Sequence, residues 1–217
     1  MIKLGVLASG RGSNFQSIID SINIGYLPAS IEILITDNLD AYAVIRAKEN
    51  GIPSVCLKMQ DFKTKAEYYG RVVVELQKRG VELVILAGFM RIVARPLLEV
   101  YKMRIMNIHP ALLPSFRGLH AQRQAIEYGV KIAGCTVHFV DDGVDTGPII
   151  VQAAVPLYSD DFEDTLSKRI LEMEHKIYPY AIKLFCENRL IVDSNIVTIL
   201  NEPKFDDNII VPNLKKT

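Results

Sequence analysis

The stretch from Asn107 to His120, NIHPALLPSFRGLH, follows an apolar run from Met103 to Ile108 that is typical of a buried strand. Side chains on a strand alternate between its two faces, so Asn107 and His109 are expected to point the same way. Pro110 then ends the strand, because a proline has no N–H for the ladder. The stretch predicts an amide and an imidazole side by side at the carboxyl end of a strand, where open α/β sheets bind ligands.

The chemistry of these two side chains indicates a reactive site. An imidazole can carry a proton near neutral pH, and a carboxamide can donate to a developing oxyanion. The second proline and the glycine of the stretch predict a stiff, irregular loop whose backbone groups find partners elsewhere. The sequence leaves open whether the Leu113–Pro114 bond is cis or trans, and whether His120 serves packing or chemistry.

Apolar runs alternate with amphipathic runs through most of the chain, and this order decides the fold class. The other predicted strands are Ile2–Ala8, Ile31–Ile35, Ser54–Leu57, Leu83–Ala87, Lys131–Val140 and Ile149–Val155, the last returning antiparallel. The predicted helices after the first are Ala41–Asn50, Lys63–Arg79, Pro96–Val100, Gln122–Tyr128 and a long one from Asp160 or Asp161, which we expect Pro179 to end or kink. The pattern predicts an α/β fold: a doubly wound, mostly parallel sheet with helices on both faces.

Composition excludes several classes of protein. Lys+Arg and Asp+Glu number 25 each, so no basic excess indicates a nucleic-acid partner. No apolar run approaches the roughly 18 residues of a membrane span, and strand-like residues follow Met1 directly, so we expect neither a membrane segment nor a signal peptide. The three cysteines lie far apart, which favours reduced thiols in a cytoplasmic protein. Neither they nor the histidines have the spacing of a metal site, so we expect no metal.

A glycine-rich turn joins the first strand to the first helix. It reads Ser-Gly-Arg-Gly-Ser-Asn from Ser9 to Asn14, and Phe15 begins the apolar face of the helix. Such a turn leaves N–H groups free at the positive end of the helix dipole, which predicts an anion cradle suited to a phosphate. The alternative is a plain helix cap, in which Ser13 or Asn14 satisfies those donors.

The same turn resembles a dinucleotide fingerprint only in part. Gly10 and Gly12 match the first two glycines of GxGxxG, but Phe15 replaces the third and blocks close packing of helix on strand. Asp37, after the second strand, is a candidate ribose-binding acid. Without the third glycine, a mononucleotide or sugar phosphate fits better than NAD.

Two further loops follow predicted strands. Residues 88–93, Gly-Phe-Met-Arg-Ile-Val, form an apolar loop with one arginine, which suits a flat aromatic ligand or, equally, a packed crossover. Residues 141–148 contain three acids and two glycines between strands; these acids are either solvated or include one that faces His109 and raises its pKa. A lone histidine within a strand, His138, is more typical of packing than of catalysis.

Five motifs together resemble the glycinamide ribonucleotide formyltransferase family, which is folate-dependent and belongs to purine synthesis. They are Gly12-Ser13-Asn14, Ala87–Ile92, Asn107–Pro114, Gly118-Leu119-His120 and Glu174–Pro179. The resemblance covers residues 1–192 and implies a single formyltransferase domain of that extent. Residues 193–217 are predicted to form a polar C-terminal tail, loosely attached, with an apolar burst at Ile209–Val211.

The resemblance implies roles for particular residues. Asn107, His109 and Asp145 would be the catalytic trio. The ribonucleotide phosphate would bind Gly12, Ser13 and Asn14, with Glu174 also contacting that substrate. The folate, 10-formyltetrahydrofolate, would bind Met90, Arg91, Ile92, Val93, Asn107, Asp141 and Asp145. Lys65 stands where the family often has an Arg touching the folate tail, and a Lys keeps the charge but loses the bidentate fork.

The implied reaction is direct formyl transfer to the amine of glycinamide ribonucleotide through a tetrahedral intermediate. The runner-up functions are a formyltetrahydrofolate deformylase and another formyltransferase of the same group, such as one acting on methionyl-tRNA. A non-catalytic nucleotide-phosphate binder is a further alternative. We expect small-molecule partners only, with no nucleic acid, no membrane and no metal, and a monomer or weak homodimer.

Overall fold

The computed structural model describes residues 1–202, and the predicted apolar burst at Ile209–Val211 lies outside these residues. The strands are β1 (Ile2–Leu7), β2 (Ala29–Thr36), β3 (Ser54–Cys56), β4 (Leu83–Leu86), β5 (Ile105–His109), β6 (Ile132–Phe139), β7 (Ile149–Pro156), β8 (Leu190–Asp193) and β9 (Ile196–Ile199). The helices are α1 (Ser13–Asn23), α2 (Tyr42–Glu49), α3 (Lys65–Gln77), α4 (Arg95–Val100), α5 (Ala121–Tyr128) and α6 (Glu163–Cys186), with a 3₁₀ turn at Met59–Asp61. In this part of the chain, no helix is long and apolar enough to cross a membrane.

Seven strands form one sheet in the order β3-β2-β1-β4-β5-β6-β7. The pairs from β3 to β5 are parallel, whereas β6 is antiparallel to both β5 and β7. The prediction of a doubly wound, mostly parallel sheet is confirmed, as is the antiparallel return of the last strand. The strand order reverses at β1 and β4, so the loops after these strands leave the sheet in opposite directions and open a crevice at its carboxyl edge.

The core lies on both faces of the sheet, because successive side chains of the buried strands alternate between them. One cluster joins alternate residues of β1 and β4 to α1 and α6; it includes Leu4, Val6, Leu83, Ile85, Phe15, Ile18, Ile170 and Tyr178. The other joins the intervening residues to α3 and α4; it includes Leu7, Val84, Leu86, Tyr68, Tyr69, Val72 and Leu97. This two-sided burial explains why β4, and β1 from Leu4 to Leu7, have continuous apolar sequences.

Several predicted helix boundaries differ from the structure, and the contacts explain two of these differences. Helix α3 begins at Lys65 rather than Lys63, because the Thr64 hydroxyl caps it by accepting the Glu67 N–H at 3.1 Å. Helix α6 does not end at Pro179 and continues to Cys186. The side chain of Pro179 is buried, and its neighbour Tyr178 is fully buried in the core, so packing outweighs the loss of one helical hydrogen bond.

Strands β8 and β9 form a hairpin that the sequence analysis did not assign. A two-residue turn at Ser194 and Asn195 joins them, and Ser194 has the positive φ that such turns use. Val192 and Val197 pack against the core on the α1–α6 side of the sheet. The hairpin spans the boundary that we predict at residue 192, and that division of the chain stays a prediction.

Candidate active site

The site begins with the pairing of β5 and β6. In their antiparallel register, Asn107 lies opposite His138, and His109 lies opposite Thr136. Paired residues of such a ladder project to the same face, so an amide and two imidazoles collect at one end of the sheet. Nδ2 of Asn107 lies 3.2 Å from Nε2 of His138.

Asp145 enters this group from the loop between β6 and β7. Its Oδ2 accepts the Gly118 N–H at 2.9 Å and lies 3.3 Å from Nδ1 of His109. Its Oδ1 lies 3.5 Å from Nδ2 of Asn107 and 3.6 Å from Nε2 of His138. One of the three loop acids therefore faces His109, which is one of the two alternatives that the sequence left open for this loop.

The surroundings of Asp145 keep its carboxylate ionised. Burial by itself raises the pKa of this carboxyl. The nearby His138 ring and the hydrogen bond from the Gly118 N–H, together with the charge of His109, outweigh burial and lower the pKa below its ordinary value. A fixed negative charge thus lies beside two histidine rings, where it can stabilise a proton on either.

The ring of His109 is buried and held at both nitrogens. Nε2 lies 2.9 Å from the Phe116 carbonyl oxygen, and Nδ1 faces Oδ2 of Asp145. Phe116 has a positive φ, which turns its carbonyl toward the ring. Both partner atoms are acceptors, so a ring with protons on both nitrogens donates to both of them.

His138 is a site residue that sequence reasoning missed. Its Nδ1 lies 2.8 Å from the Phe139 carbonyl oxygen and donates to it, since that oxygen can only accept. In the neutral ring, Nε2 then accepts the hydrogen bond from Asn107 and fixes the orientation of the amide. The only signal for this contact is the β5–β6 register, which a single sequence does not reveal.

Hydrogen bonds from β6 and β7 shape the loop after β5. The Thr136 hydroxyl donates to the Ala111 carbonyl at 2.7 Å and accepts the Leu113 N–H at 3.1 Å. Gln152 donates to the Leu113 carbonyl at 3.0 Å. The Leu113–Pro114 bond, left open by the sequence, is cis. These hydrogen bonds give partners to backbone N–H and C=O groups of the loop that follows His109.

The glycine-rich turn after β1 has the geometry of an anion cradle. Gly12 stands at the N-cap of α1 with φ 64°, and within residues 1–202 no side chain caps this helix. A Cβ on Gly12 would lie 2.8 Å from Cβ of Ala43, so both the backbone conformation and the space require glycine. The plain-cap alternative for Ser13 and Asn14 is therefore wrong, and the first N–H groups of α1 face outward from the helix end.

Asn14 reaches instead across to α6. Its Nδ2 donates to Oε2 of Glu174 at 2.7 Å, and both residues are buried. Burial raises the pKa of the Glu174 carboxyl, and the hydrogen bond from Asn14 opposes that rise only in part. Glu174 therefore brings a buried acceptor to the edge of the cradle, where a ligand hydroxyl can bind it.

The loop after β4 contains both exposed and buried side chains. Met90 and Ile92 are 68% and 58% exposed, whereas Val93 is buried in the α3–α4 core. The Ser9 hydroxyl accepts the Met90 N–H at 3.1 Å, and the Tyr69 hydroxyl donates to the Ile92 carbonyl at 3.0 Å. The two apolar side chains are thus presented to solvent on an immobilised backbone, as a ligand surface requires.

Arg91 is held by an acid of the neighbouring loop. Its Nε lies 2.5 Å from Oδ2 of Asp37, so Asp37 forms an ion pair and is not free to bind a ribose.

The remaining predicted site residues lie outside this pair. Asp141 accepts a hydrogen bond from the Thr146 hydroxyl at 2.6 Å and one from the Gly143 N–H at 3.1 Å, which closes the turn before Asp145. Lys65 lies exposed in the first turn of α3. Within the described residues, no cluster of three or more His, Cys, Asp or Glu is placed to hold a metal ion.

The doubly wound sheet, the carboxamide, imidazole and carboxylate gathered at the end of β5, and the glycine-led helix after β1 together suit an α/β enzyme of the acyl-transfer class. A sequence model of the formyl transferase family matches residues 2–182. The chain belongs to this family.

Relatives with defined names agree with that membership. The chain is 43% identical over 183 residues to the phosphoribosylglycinamide formyltransferase of Bacillus subtilis (strain 168), covering 84% of this chain and 94% of the relative. It is 41% identical over 196 residues to the trifunctional purine biosynthetic protein adenosine-3 of Drosophila melanogaster, of whose length it spans 14%. The crystal structure of glycinamide ribonucleotide transformylase 1 from Symbiobacterium toebii superposes with a TM-score of 0.92 at 48% identity, covering 93% of this chain and 95% of that one.

Proposed function

We propose that this protein transfers the formyl group of 10-formyltetrahydrofolate to the primary amine of glycinamide ribonucleotide, a step of purine biosynthesis. The observation that carries the proposal is the convergence of Asn107, His109 and Asp145 at one end of the sheet. A second support is the similarity to relatives named phosphoribosylglycinamide formyltransferase, of which the chain covers nearly the whole length.

The ribonucleotide would bind through its phosphate at the start of α1. The N–H groups of Gly12, Ser13 and Asn14 would hold the phosphate oxygens, assisted by the positive end of the helix dipole. Glu174 would accept a hydrogen bond from a hydroxyl of the same substrate. Its buried carboxylate has one hydrogen bond, from Asn14, and retains acceptor capacity for a second.

The folate would bind between the loops after β4 and β6. The exposed side chains of Met90 and Ile92 would cover the flat pteridine, with Val93 packed beneath them and Arg91 held aside by Asp37. The turn at Asp141 to Asp145 would close over the same ring. Lys65 would offer a single positive charge to the acidic tail of the folate, without the paired donors of an arginine.

The reaction is direct transfer without an acyl-enzyme. The amine nitrogen attacks the formyl carbon, and the carbonyl oxygen becomes negative as the tetrahedral intermediate forms. Asn107, whose amide is oriented by His138, would donate to that oxygen with the N–H that now faces Oδ1 of Asp145, and protonated His109 would stabilise the same charge. Collapse breaks the bond from carbon to the folate nitrogen, and the proton lost by the amine passes to that nitrogen, with His109 as acid and base.

His109 must change one partner to do this. Its Nε2 now faces the Phe116 carbonyl, and its Nδ1 faces Asp145. We propose that Nε2 exchanges the carbonyl for the reacting atoms, while Asp145 keeps the ring in place from the other side. The acceptor in the hydrogen bond to Phe116 is an uncharged carbonyl, whereas Asp145 is a charged carboxylate. The hydrogen bond to Phe116 is therefore the weaker one and the easier to break.

One assay tests the function against its nearest rival. Folate absorbance is followed with 10-formyltetrahydrofolate alone and with glycinamide ribonucleotide added. A transferase converts the folate only when the ribonucleotide is present, whereas a formyltetrahydrofolate deformylase converts it without acceptor and releases formate. If the folate is converted in neither case, the remaining alternative is a non-catalytic nucleotide-phosphate binder. A cytoplasmic location and a monomer or weak homodimer remain predictions, the latter open to sedimentation analysis.

A further inference from the structure

Residues at the start of α2 contact the back of the glycine-rich turn at residues 10–12, the proposed phosphate site, but are not part of that turn. Ala43 donates its N–H to the Gly10 carbonyl at 3.1 Å, and its Cβ would lie 2.8 Å from a Cβ on Gly12. One helical turn further on, Arg46 reaches the same segment. The start of α2 therefore packs directly against the back of the turn.

The guanidinium of Arg46 contacts both ends of the turn. Its Nε donates to the Arg11 carbonyl at 3.0 Å, and its NH1 donates to Oε1 of Gln16 at 2.9 Å. Arg11 precedes the N-cap of α1, whereas Gln16 lies in the first turn of the helix. One planar group thus ties the loop to the helix on either side of the free N–H groups.

The geometry of Arg46 is itself fixed. Its guanidinium carbon lies 4.8 Å from the centre of the Tyr42 ring, which restricts the side chain by a cation–π contact. Gln16 is held in turn, because its Nε2 donates to Oδ1 of Asp20 at 2.8 Å. The chain of contacts from Tyr42 to Asp20 leaves the turn little freedom to collapse when its N–H groups have no anion.

We infer that Arg46 is a positioning residue for the phosphate end of the substrate. It holds the 10–12 turn in the open arrangement that presents the α1 N–H groups, and it places a positive charge directly behind them. The identity of the substrate in this inference rests on the proposed function. The role of Arg46 itself applies to any phosphate monoester that binds at the start of α1. Arg46 does not itself touch the reacting atoms.

A lysine cannot replace this arginine fully. Its single ammonium keeps the charge but cannot bridge the Arg11 carbonyl and the Gln16 amide with two coplanar donors. Arg46→Lys is therefore expected to separate the contribution of charge from that of the bridge. Gln16→Leu removes one anchor of the guanidinium and leaves its charge in place.

The test compares Arg46→Met, Arg46→Lys and Gln16→Leu with Lys48→Met, which removes the same charge from an exposed position on α2. The measured quantities are the KM of each substrate and the Kd of inorganic phosphate by calorimetry. We expect Arg46→Met to raise the ribonucleotide KM and the phosphate Kd about tenfold, with the folate KM within about twofold. For Arg46→Lys and Gln16→Leu, the ribonucleotide KM and the phosphate Kd should lie between the values of Arg46→Met and those of Lys48→Met.

Two outcomes would overturn the inference. One is a phosphate Kd in Arg46→Met no higher than in Lys48→Met. The other is a parallel rise of both KM values, which would indicate general loosening of the fold. If Arg46→Met does not fold, Arg46→Lys and Gln16→Leu decide the question by the same comparison. Because phosphate binding needs no turnover, a wild-type protein that binds phosphate but transfers no formyl group would refute the proposed function alone.

Discussion

Oδ2 of Asp145 lies 3.3 Å from Nδ1 of His109 and at the same time accepts the backbone N–H of Gly118 at 2.9 Å. The carboxylate therefore joins the end of β5 to the loop that follows it and to the loop after β6. Asp145 has φ 52°, a conformation that an aspartate adopts at modest strain when its side chain is held by such contacts. The position of this one side chain assembles the site from three segments.

We expect Asp145→Asn to reduce kcat strongly while leaving both KM values within a few-fold. The amide keeps the size of the side chain but removes the charge that stabilises a protonated His109, so about 10²-fold or more is lost from kcat. Steady-state kinetics with each substrate varied in turn measures this. A large rise in the folate KM at normal kcat would instead assign Asp145 to binding.

His109→Ala tests the acid–base assignment directly. In the proposed mechanism, the ring of His109 moves the proton and is one of two groups beside the developing oxyanion, so its removal should lower the rate by at least about 10²-fold. Because the ring is buried, folding must be checked by circular dichroism and by the Kd of inorganic phosphate, which should not change. Activity equal to the wild type would remove the proposed mechanism.

The sequence predicts the fold well for a physical reason. Strand β4 and residues 4–7 of β1 are buried on both faces and have continuous apolar sequences, and glycines mark the ends of several helices. The proximity of Asn107 to His109 also follows from local geometry, since alternate residues of one strand share a face.

Contacts that depend on register or on distant packing could not be predicted. His138 faces Asn107 only because β6 pairs with β5 in one particular register. The pairing of Asp37 with Arg91 depends on how two loops fold back at the switch point. Pro179 remains inside α6 because the core holds the residues around it, which no local rule indicates. Each of these is a tertiary effect that the local sequence does not encode.

Gly12→Ala should damage both stability and phosphate binding. The new methyl group would sit at a positive φ and 2.8 Å from Cβ of Ala43, so we expect a loss of about 1–3 kcal/mol in the free energy of unfolding. The ribonucleotide KM should rise with it, because the first turn of α1 must shift. Gly10→Ala is the matched control: a Cβ there meets nothing within 4 Å, and its unfolding midpoint in urea should stay near the wild type.

An ion pair between Asp161, just before α6, and Arg169, within α6, gives the protein a stability that depends on pH. Asp161 accepts two hydrogen bonds from Arg169, at 2.8 and 2.9 Å, and one from the Tyr158 N–H at 2.8 Å. The hydrogen bonds from Arg169 hold the pKa of the Asp161 carboxyl well below its usual range. Because the pKa is lower in the folded state, this contribution is fully present above the unfolded value of about 3.9 and is lost as the pH falls below it.

Asp161→Asn should therefore lower the free energy of unfolding by about 1–3 kcal/mol at pH 7, with a smaller difference from the wild type at pH 3. Urea unfolding at both pH values measures the change. Asp160→Asn, at the neighbouring exposed acid, is the control and should have little effect. A difference between Asp161→Asn and the wild type that is the same at pH 3 and pH 7 would show that the variant loses packing at the start of α6, and that the charge of Asp161 contributes nothing to stability.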